Sequence, residues 1–305
     1  MSLLDEASAR VLKLGMSLVI GCVLLLLGIF QILALPITYT NPYAMERTMN
    51  VFNRFFVWLL MYTLAIGNKD LFQFCAMENN QLIPFKEPTT NTSFILLSNH
   101  ICALDTIITG AISEFLLHTN TRYISKESVK WVPVIGWSAC LSNYLLIKRD
   151  WAKDAERIRR WCEGIRQRTN KTLVIYPEGT RATPSKIAQS NEYAKKKNLP
   201  VLKHMLLPRT KGFKACLEHL ASSSFTQVLH ATIVYVENGA GKESPSILAS
   251  FTKRVPGSFI VVLSTEAISD ISSPEEYLID AFKKKDQLIE TILSRTSPTK
   301  THSHT

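Results

Sequence analysis

The stretch Phe94-Ile95-Leu96-Leu97-Ser98-Asn99-His100-Ile101-Cys102-Ala103-Leu104-Asp105 decides the reading of this chain. Its first four residues form a short apolar run bounded upstream by Thr90-Asn91-Thr92, the pattern of a buried strand. His100 then stands at the strand's C-terminal edge, where α/β sheets build their sites. Asp105 follows five residues later, close enough to turn back onto the imidazole if a helix starts between them. Such a carboxylate fixes the tautomer of a histidine that accepts a proton. The plain alternative is a satisfied histidine near a strand end, with Asp105 an early helix acid favoured by the helix dipole.

Composition narrows the classes. A chain of 305 residues buries a full core as one large α/β domain or two small ones. A formal net charge of +10 favours an anionic partner. The apolar N-terminus directs that expectation to membranes and phosphorylated small molecules, and no aromatic-basic platform points to nucleic acid. Six cysteines without a C-x-x-C pair read as reduced thiols in a cytosol-facing domain, with no metal site implied.

Arg10 and Lys13 precede Ser17 to Leu35, an apolar stretch whose strongly polar member is Gln31. With Leu14 to Met16 it is long enough to cross a bilayer core, and too long for the apolar region of a cleavable signal peptide. Pro36 to Asn53 reads as a polar-aromatic connector. Phe55 to Ile66 is too short for a crossing and reads as an interfacial or re-entrant segment, or as a buried core helix. From Lys69 the pattern is α/β. Strands are expected at Leu71–Met77, Phe94–Leu97, Arg122–Ile124, Tyr144–Ile147, Thr172–Tyr176, Val228–Tyr235 and Ser258–Ser264. Helices are expected at Thr106–Leu117, Pro133–Leu141, Trp151–Arg168, Ala182–Pro200 and Pro274–Arg295. The fold class is therefore α/β, a mixed sheet covered by helices with an N-terminal membrane-anchoring helical segment. The domains are residues 1–68 as membrane anchor and interfacial helix, 69–295 as the α/β domain, and 296–305 as a disordered tail.

Three more signals follow the first. In Tyr144-Leu145-Leu146-Ile147-Lys148-Arg149-Asp150 two cations stand where an apolar strand ends; Arg149 offers a planar fork for phosphate oxygens. In Val174-Ile175-Tyr176-Pro177-Glu178-Gly179-Thr180-Arg181, Gly179 permits a tight turn that brings Glu178 and Arg181 to the strand's C-terminal edge. Val201 to Gly212 is an apolar stretch ended by Pro208 and cations.

Taken in order, these four segments resemble the glycerolipid acyltransferase family, over roughly Leu71 to Asn238. Its His-x-x-x-x-Asp box matches at His100 and Asp105, its second box at Arg149, its Glu-Gly-Thr-Arg box at Glu178 to Arg181, and the proline of its last box at Pro208. The third and fourth boxes look most like the eukaryotic branch of lysophosphatidic acid, lysocardiolipin and lysophosphatidylinositol acyltransferases. Thr106 departs from the aromatic residue common after the box aspartate, and Ser142-Asn143 from the glycine pair usual in this branch. Members of the branch usually end in further membrane spans; the late run Phe259 to Leu263 is too short for one.

The resemblance implies an acyl-CoA-dependent enzyme acting on a lysophospholipid at a membrane, with acyl-CoA as co-substrate and no cofactor. The chemistry also fits the residues. A neutral imidazole near pH 7 suits removal of the attacking alcohol's proton, so His100 is the expected base and Asp105 its orienting partner. Cys102 is a rival nucleophile. Arg149, Glu178, Gly179, Thr180 and Arg181, with Pro208, are the implied acceptor-binding residues; Lys126 and Lys130 are either contacts for CoA phosphates or solvated surface. The non-enzymatic alternative is a membrane-anchored lipid-binding protein. The expected location is the endoplasmic reticulum membrane, or else the mitochondrial outer membrane, with the domain facing the cytosol. The sequons Asn91-Thr92-Ser93 and Asn170-Lys171-Thr172 are then expected to remain unmodified.

Overall fold

The computed structural model describes residues 3–79, 81–86 and 92–296; Asn91 and the tail beyond Thr296 lie outside them. The two strands buried at every position lie side by side in the sheet. These are β3 (Ser93–Ser98) and β6 (Lys171–Ile175), both buried along their whole length and paired in parallel. A strand without a polar face needs a layer on each side. The remaining strands are β1 (Phe72–Glu78), β2 (Gln81–Pro84), β4 (Asn120–Lys126), β5 (Leu145–Ile147), β7 (Phe225–Glu237), β8 (Ala240–Gly241) and β9 (Ser258–Ala267). The spatial order is β2-β1-β9-β7-β3-β6-β4-β5, with β8 pairing the end of β7. Pairing is antiparallel at β1/β2, β7/β8 and β7/β9 and parallel elsewhere, so the sheet is mixed as expected.

Side chains alternate across β3 and assign the layers. Ile95 and Leu97 face helices α6 (Trp151–Ile165), α8 (Thr210–Leu220) and α10 (Pro274–Thr296) through Ile158, Phe213 and Phe282. Phe94 and Leu96 face the other way, onto Leu64 of α3 (Pro42–Ala65) and Ile107 and Ile108 of α4 (Asp105–Ala111). Further helices complete the fold: α2 (Leu35–Thr40), α5 (Ile135–Leu141), α7 (Pro184–Lys196) and α9 (Ile247–Thr252). The helix expected over Thr106–Leu117 starts at Asp105 and widens into a π-helical turn at Ile112–Leu116. Strand β2 and helices α8 and α9 were not expected from the pattern.

The N-terminal region departs from the connector reading. Residues 36–40 and 42–53 are helical, because Pro36 sits in the first turn of α2, and Asn41 between them caps α3 by accepting the Ala44 N–H, with Pro42 opening that helix. The two faces of α3 differ over Phe55–Ile66. Leu59 and Leu64 are buried, while Val51, Phe55, Trp58 and Tyr62 form an exposed stripe whose three rings stack in sequence at 6.0 and 5.6 Å. Helix α1 (Leu3–Leu33) has the length and apolar composition to cross a membrane. It is nevertheless docked lengthwise on the domain. Its Lys13 ammonium donates to the carbonyls of Leu64, Ser250 and Lys253, Ser17 to Phe251, and Gln31 to Val134 and Ser138. From Lys13 to Gln31 the helix runs about 27 Å. Leu18, Leu25, Leu26, Ile29 and Leu33 on its other side are exposed.

A second staple holds α3 to the far end of the sheet. The buried Glu46 carboxylate accepts from Arg122 at 2.6 Å, Lys171 at 3.2 Å and Arg168. Removing the acid leaves cations buried without a counter-charge. Glu46→Gln is therefore expected to cost about 3–5 kcal/mol of stability, read as a fall in the unfolding midpoint in mild detergent.

Candidate active site

Strands β3, β4, β5 and β6 run parallel, so the loops after them share one edge of the sheet. His100 follows β3, Lys126 ends β4, Arg149 follows β5, and Glu178 to Arg181 follow β6. At the end of β3 the chain leaves its neighbour β7, and Asn99 bridges the opening. Its amide donates to the Ile233 carbonyl at 2.9 Å and its oxygen accepts the Ile233 N–H at 2.8 Å, an imitation of a strand partner. This side chain directs the next residue out of the sheet.

The His100 ring meets Asp105 as the spacing predicts. Nδ1 lies 2.9 Å from Oδ2, in the tautomer that donates to the carboxylate. The same carboxylate starts α4 and accepts the N–H groups of Ile101 at 2.6 Å and Cys102 at 2.9 Å, so its position is fixed by backbone. Asp105 is completely buried, whereas the His100 side chain keeps 19% of its surface open. The exposed edge of the ring carries Nε2. The Tyr176 ring stacks on the imidazole at 4.5 Å, and its hydroxyl bonds Thr109 of α4 at 2.8 Å.

The Glu178 segment joins the same site through the backbone. Glu178 Oε1 accepts the His100 N–H at 2.7 Å, and the His100 carbonyl accepts the Ala182 N–H at 2.7 Å. Glu178 Oε2 accepts the Leu206 N–H at 2.9 Å, which draws in the segment before Pro208. Pro208 is buried, and the next residue donates its N–H to the Pro177 carbonyl. Gly179 is left-handed, at φ +69°, and an added Cβ would sit 3.4 Å from the Arg209 side chain. Arg209 was not among the expected site residues. Thr180 accepts from Lys186 at 2.8 Å, and Arg181 is exposed at the edge. Arg149 is also exposed, in a left-handed turn at φ +65° between β5 and α6. Lys126 and Lys130 lie farther along this edge, beside Glu127, Trp131 and Lys148.

Electrostatics separate the candidates. Burial and the Asp105 carboxylate push the Cys102 thiol up to about 12, and Sγ donates to Asp105 Oδ1 at 3.2 Å. A thiol held protonated is no nucleophile, which removes the rival to His100. Burial pushes Glu178 up to about 8, against the N–H bonds from Leu206 and His100. It also pushes Lys285 of α10 down to about 7, against the pull of Glu178. Sequence reasoning missed Lys285, which lies in the run Lys283-Lys284-Lys285. The available signal was its place on the apolar stripe of α10, with Leu278, Phe282, Ile289 and Ile292.

A family model described as Acyltransferase matches residues 78–234, just over half of the chain, and spans every one of the expected site residues. The chain belongs to the acyltransferase family. It is 31% identical over 172 residues to 1-acyl-sn-glycerol-3-phosphate acyltransferase 2 of Brassica napus, covering 55% of this chain and 43% of the relative. To the gamma form of Homo sapiens it is 31% identical over 159 residues, covering 50% and 40%. An uncharacterised acyltransferase of Schizosaccharomyces pombe is 30% identical over 185 residues, covering 58% and 53%. The chain thus spans about half the length of the curated relatives it matches. The acyltransferase match leaves α1 to α3 and α9 to α10 outside its limits.

Two outcomes follow. Cys102→Ala should retain most acyl-transfer turnover, because the thiol stays protonated and is engaged by Asp105 Oδ1. Glu178 keeps its proton in the folded chain at pH values where an unfolded carboxyl, near 4.5, has lost it. Its contribution therefore falls as pH rises from about 5 to 7. Glu178→Gln has no such proton, so its stability relative to the native chain should improve across that window in denaturant unfolding.

Proposed function

We propose that this chain transfers an acyl group from acyl-CoA to the free hydroxyl of lysophosphatidic acid or a related lysophospholipid, with His100 as general base. The observation that carries this reading is the 2.9 Å bond between His100 Nδ1 and the buried Asp105 carboxylate, with Nε2 on the open edge. Nε2 accepts the hydroxyl proton as the oxygen attacks the thioester carbon. Asp105 stabilises the imidazolium that forms, and the tetrahedral centre collapses with loss of the CoA thiolate, which takes the proton back. A thiolate leaves readily, so no acyl-enzyme is needed. Arg149 and Arg181, joined by Arg209, provide guanidinium forks at the same edge for the acceptor's phosphate. The names of the Brassica and human relatives favour lysophosphatidic acid as the acceptor.

The lipid substrates place the reaction at a membrane. Because α1 touches the domain from Lys13 to Gln31, a perpendicular crossing would draw a polar domain through the hydrocarbon layer. The reading that satisfies both the docking and the exposed leucines is a helix lying in one leaflet, parallel to the surface. The domain then faces the cytosol, where acyl-CoA is found and thiols stay reduced; all six cysteines are unpaired. The endoplasmic reticulum is the proposed membrane.

Purified protein in mixed micelles, given acyl-CoA and a panel of lysophospholipids, should release CoA. His100→Ala should abolish release, and Asp105→Asn should lower it about 10²–10⁴-fold, with folding retained by circular dichroism. Arg149→Ala and Arg181→Ala should raise KM for the acceptor more than for acyl-CoA. Native turnover in both His100→Ala and Asp105→Asn would remove this site. In sealed microsomes an endoglycosidase-sensitive shift lost on Asn91→Gln or Asn170→Gln would overturn the cytosolic orientation.

A further inference from the structure

The segment that ends β6 holds His100 twice. Glu178 accepts its peptide N–H at 2.7 Å, and Tyr176, two residues earlier, lies against its ring with centroids 4.5 Å and planes 30° apart. The phase of the two strands makes the second contact. β3 and β6 pair in register up to Leu97 and Ile175, so Tyr176 comes level with Ser98, where the chain turns off toward His100. Val174 packs on the α4 side of the sheet and Ile175 on the α10 side. Tyr176 returns to the α4 side, where His100 and Asp105 stand. Pro177 has no N–H and ends the ladder there.

The Tyr176 ring is itself fixed. Its carbonyl accepts the Gly179 N–H at 2.9 Å, and its hydroxyl meets Thr109 Oγ1 at 2.8 Å. Thr109 gives its own proton to the Asp105 carbonyl at 2.8 Å, so the phenol is the donor in this bond. Burial holds that phenol well above the ordinary tyrosine range and keeps its proton in place. Thr109 lies one turn beyond Asp105 on α4, and the Asp105 carboxylate takes Nδ1 at 2.9 Å. The imidazole is thus met by Asp105 at its edge and by Tyr176 on its face, and Nε2 is left on the open side.

A hydrogen bond at Nδ1 alone leaves the ring free to tilt about that bond, and a flat neighbour removes the tilt. The face has a second effect. An imidazolium spreads its charge over the ring, and the π face of a phenol is its negative side. An aliphatic side chain at position 176 would fill the space with neither property.

We infer that Tyr176 is a positioning residue: its ring, tied to Thr109 and stacked on His100, keeps the imidazole aligned with Asp105 and steadies the positive charge that forms when Nε2 takes the hydroxyl proton. The inference rests on the reading of His100 as the base and deepens it.

The test uses the full chain in mixed micelles, with Tyr176→Met, Tyr176→Phe and a chain carrying pentafluorophenylalanine at position 176. It reads kcat, both KM values and the NMR signal of the His100 Cε1 proton, assigned by its loss in His100→Ala. Tyr176→Met should lower kcat about tenfold while both KM values stay within about twofold. Tyr176→Phe keeps the face and should stay within about threefold of the native kcat. Pentafluorophenylalanine keeps the shape of phenylalanine but reverses the sign of its face, so its kcat should fall about tenfold below that of Tyr176→Phe. Native kcat in Tyr176→Met, equal losses in Tyr176→Met and Tyr176→Phe, or equal kcat in Tyr176→Phe and the fluorinated chain would each overturn the role. If Tyr176→Met does not fold, the comparison of the two ring variants decides alone. Should the native chain release no CoA from any lysophospholipid, the proposed function fails, while the NMR signal still decides the placement. An upfield Cε1 proton in the native chain and Tyr176→Phe relative to Tyr176→Met supports the stack, and one position in all three overturns it. Where Tyr176→Met does not fold, a nuclear Overhauser contact from the ring fluorines to that proton supports the stack, and its absence overturns it.

Discussion

The site depends on one carboxyl group that takes no part in the proposed proton transfer. Glu178 accepts the backbone N–H groups of His100 and Leu206, so three separate segments meet on two oxygen atoms. A hydrogen bond of this kind is worth about 0.5–1.5 kcal/mol net, and leaving either buried N–H without its acceptor would cost about 1–3 kcal/mol. The cost of an unmet donor makes the arrangement stiff. With the His100 N–H on Glu178 and its carbonyl on the Ala182 N–H, the peptide is held from both sides. The imidazole is then free to answer only to Asp105 and Tyr176.

What was legible in the sequence was what is local in the chain. His100 and Asp105 are close enough for a single turn to join them, and the apolar runs of β3 and β6 announce strands without a polar face. The Glu178 segment was readable because a strand, a proline and a glycine follow one another without interruption. The contributions of Leu206 and Lys285 were not readable in the same way. Each acts across the fold, the first through a backbone N–H that has no residue signature, the second from within a lysine run that looks like solvated surface. Only the helical phase of position 285 distinguishes it from Lys283 and Lys284. The helices α2 and α3 were misread over residues 36–53 because the polar composition outweighed the cap at Asn41-Pro42.

The N-terminal helix shows the limit of composition from another side. Hydropathy measures how long an apolar run is, and α1 passes that test. It does not say which way the helix points. That information is in the phase of the few polar residues: Lys13, Ser17 and Gln31 recur at helical spacing on one stripe, and each donates a hydrogen bond to the domain. A lipid-facing stripe would have no use for them. The leucines between them carry the opposite face.

The same phase argument ties the proposed membrane face to the site. Helix α3 exposes Phe55, Trp58 and Tyr62 on one side, while Val57 on the other approaches Gly110 of α4, where an added Cβ would lie 3.3 Å from the Val57 side chain and from the Tyr123 hydroxyl. Helix α4 begins at Asp105, so the aromatic stripe and the Asp105 carboxylate are separated by a single helix-on-helix contact. A Cβ at position 110 would require the Val57 and Tyr123 side chains to give by a few tenths of an ångström. A lipid substrate entering beside α3 would therefore find its hydroxyl near His100 while its tail remained among apolar side chains. Its phosphate would turn toward Arg149, Arg181 and Arg209 on the polar edge, a division of one amphipathic molecule between the two kinds of surface that the fold brings together.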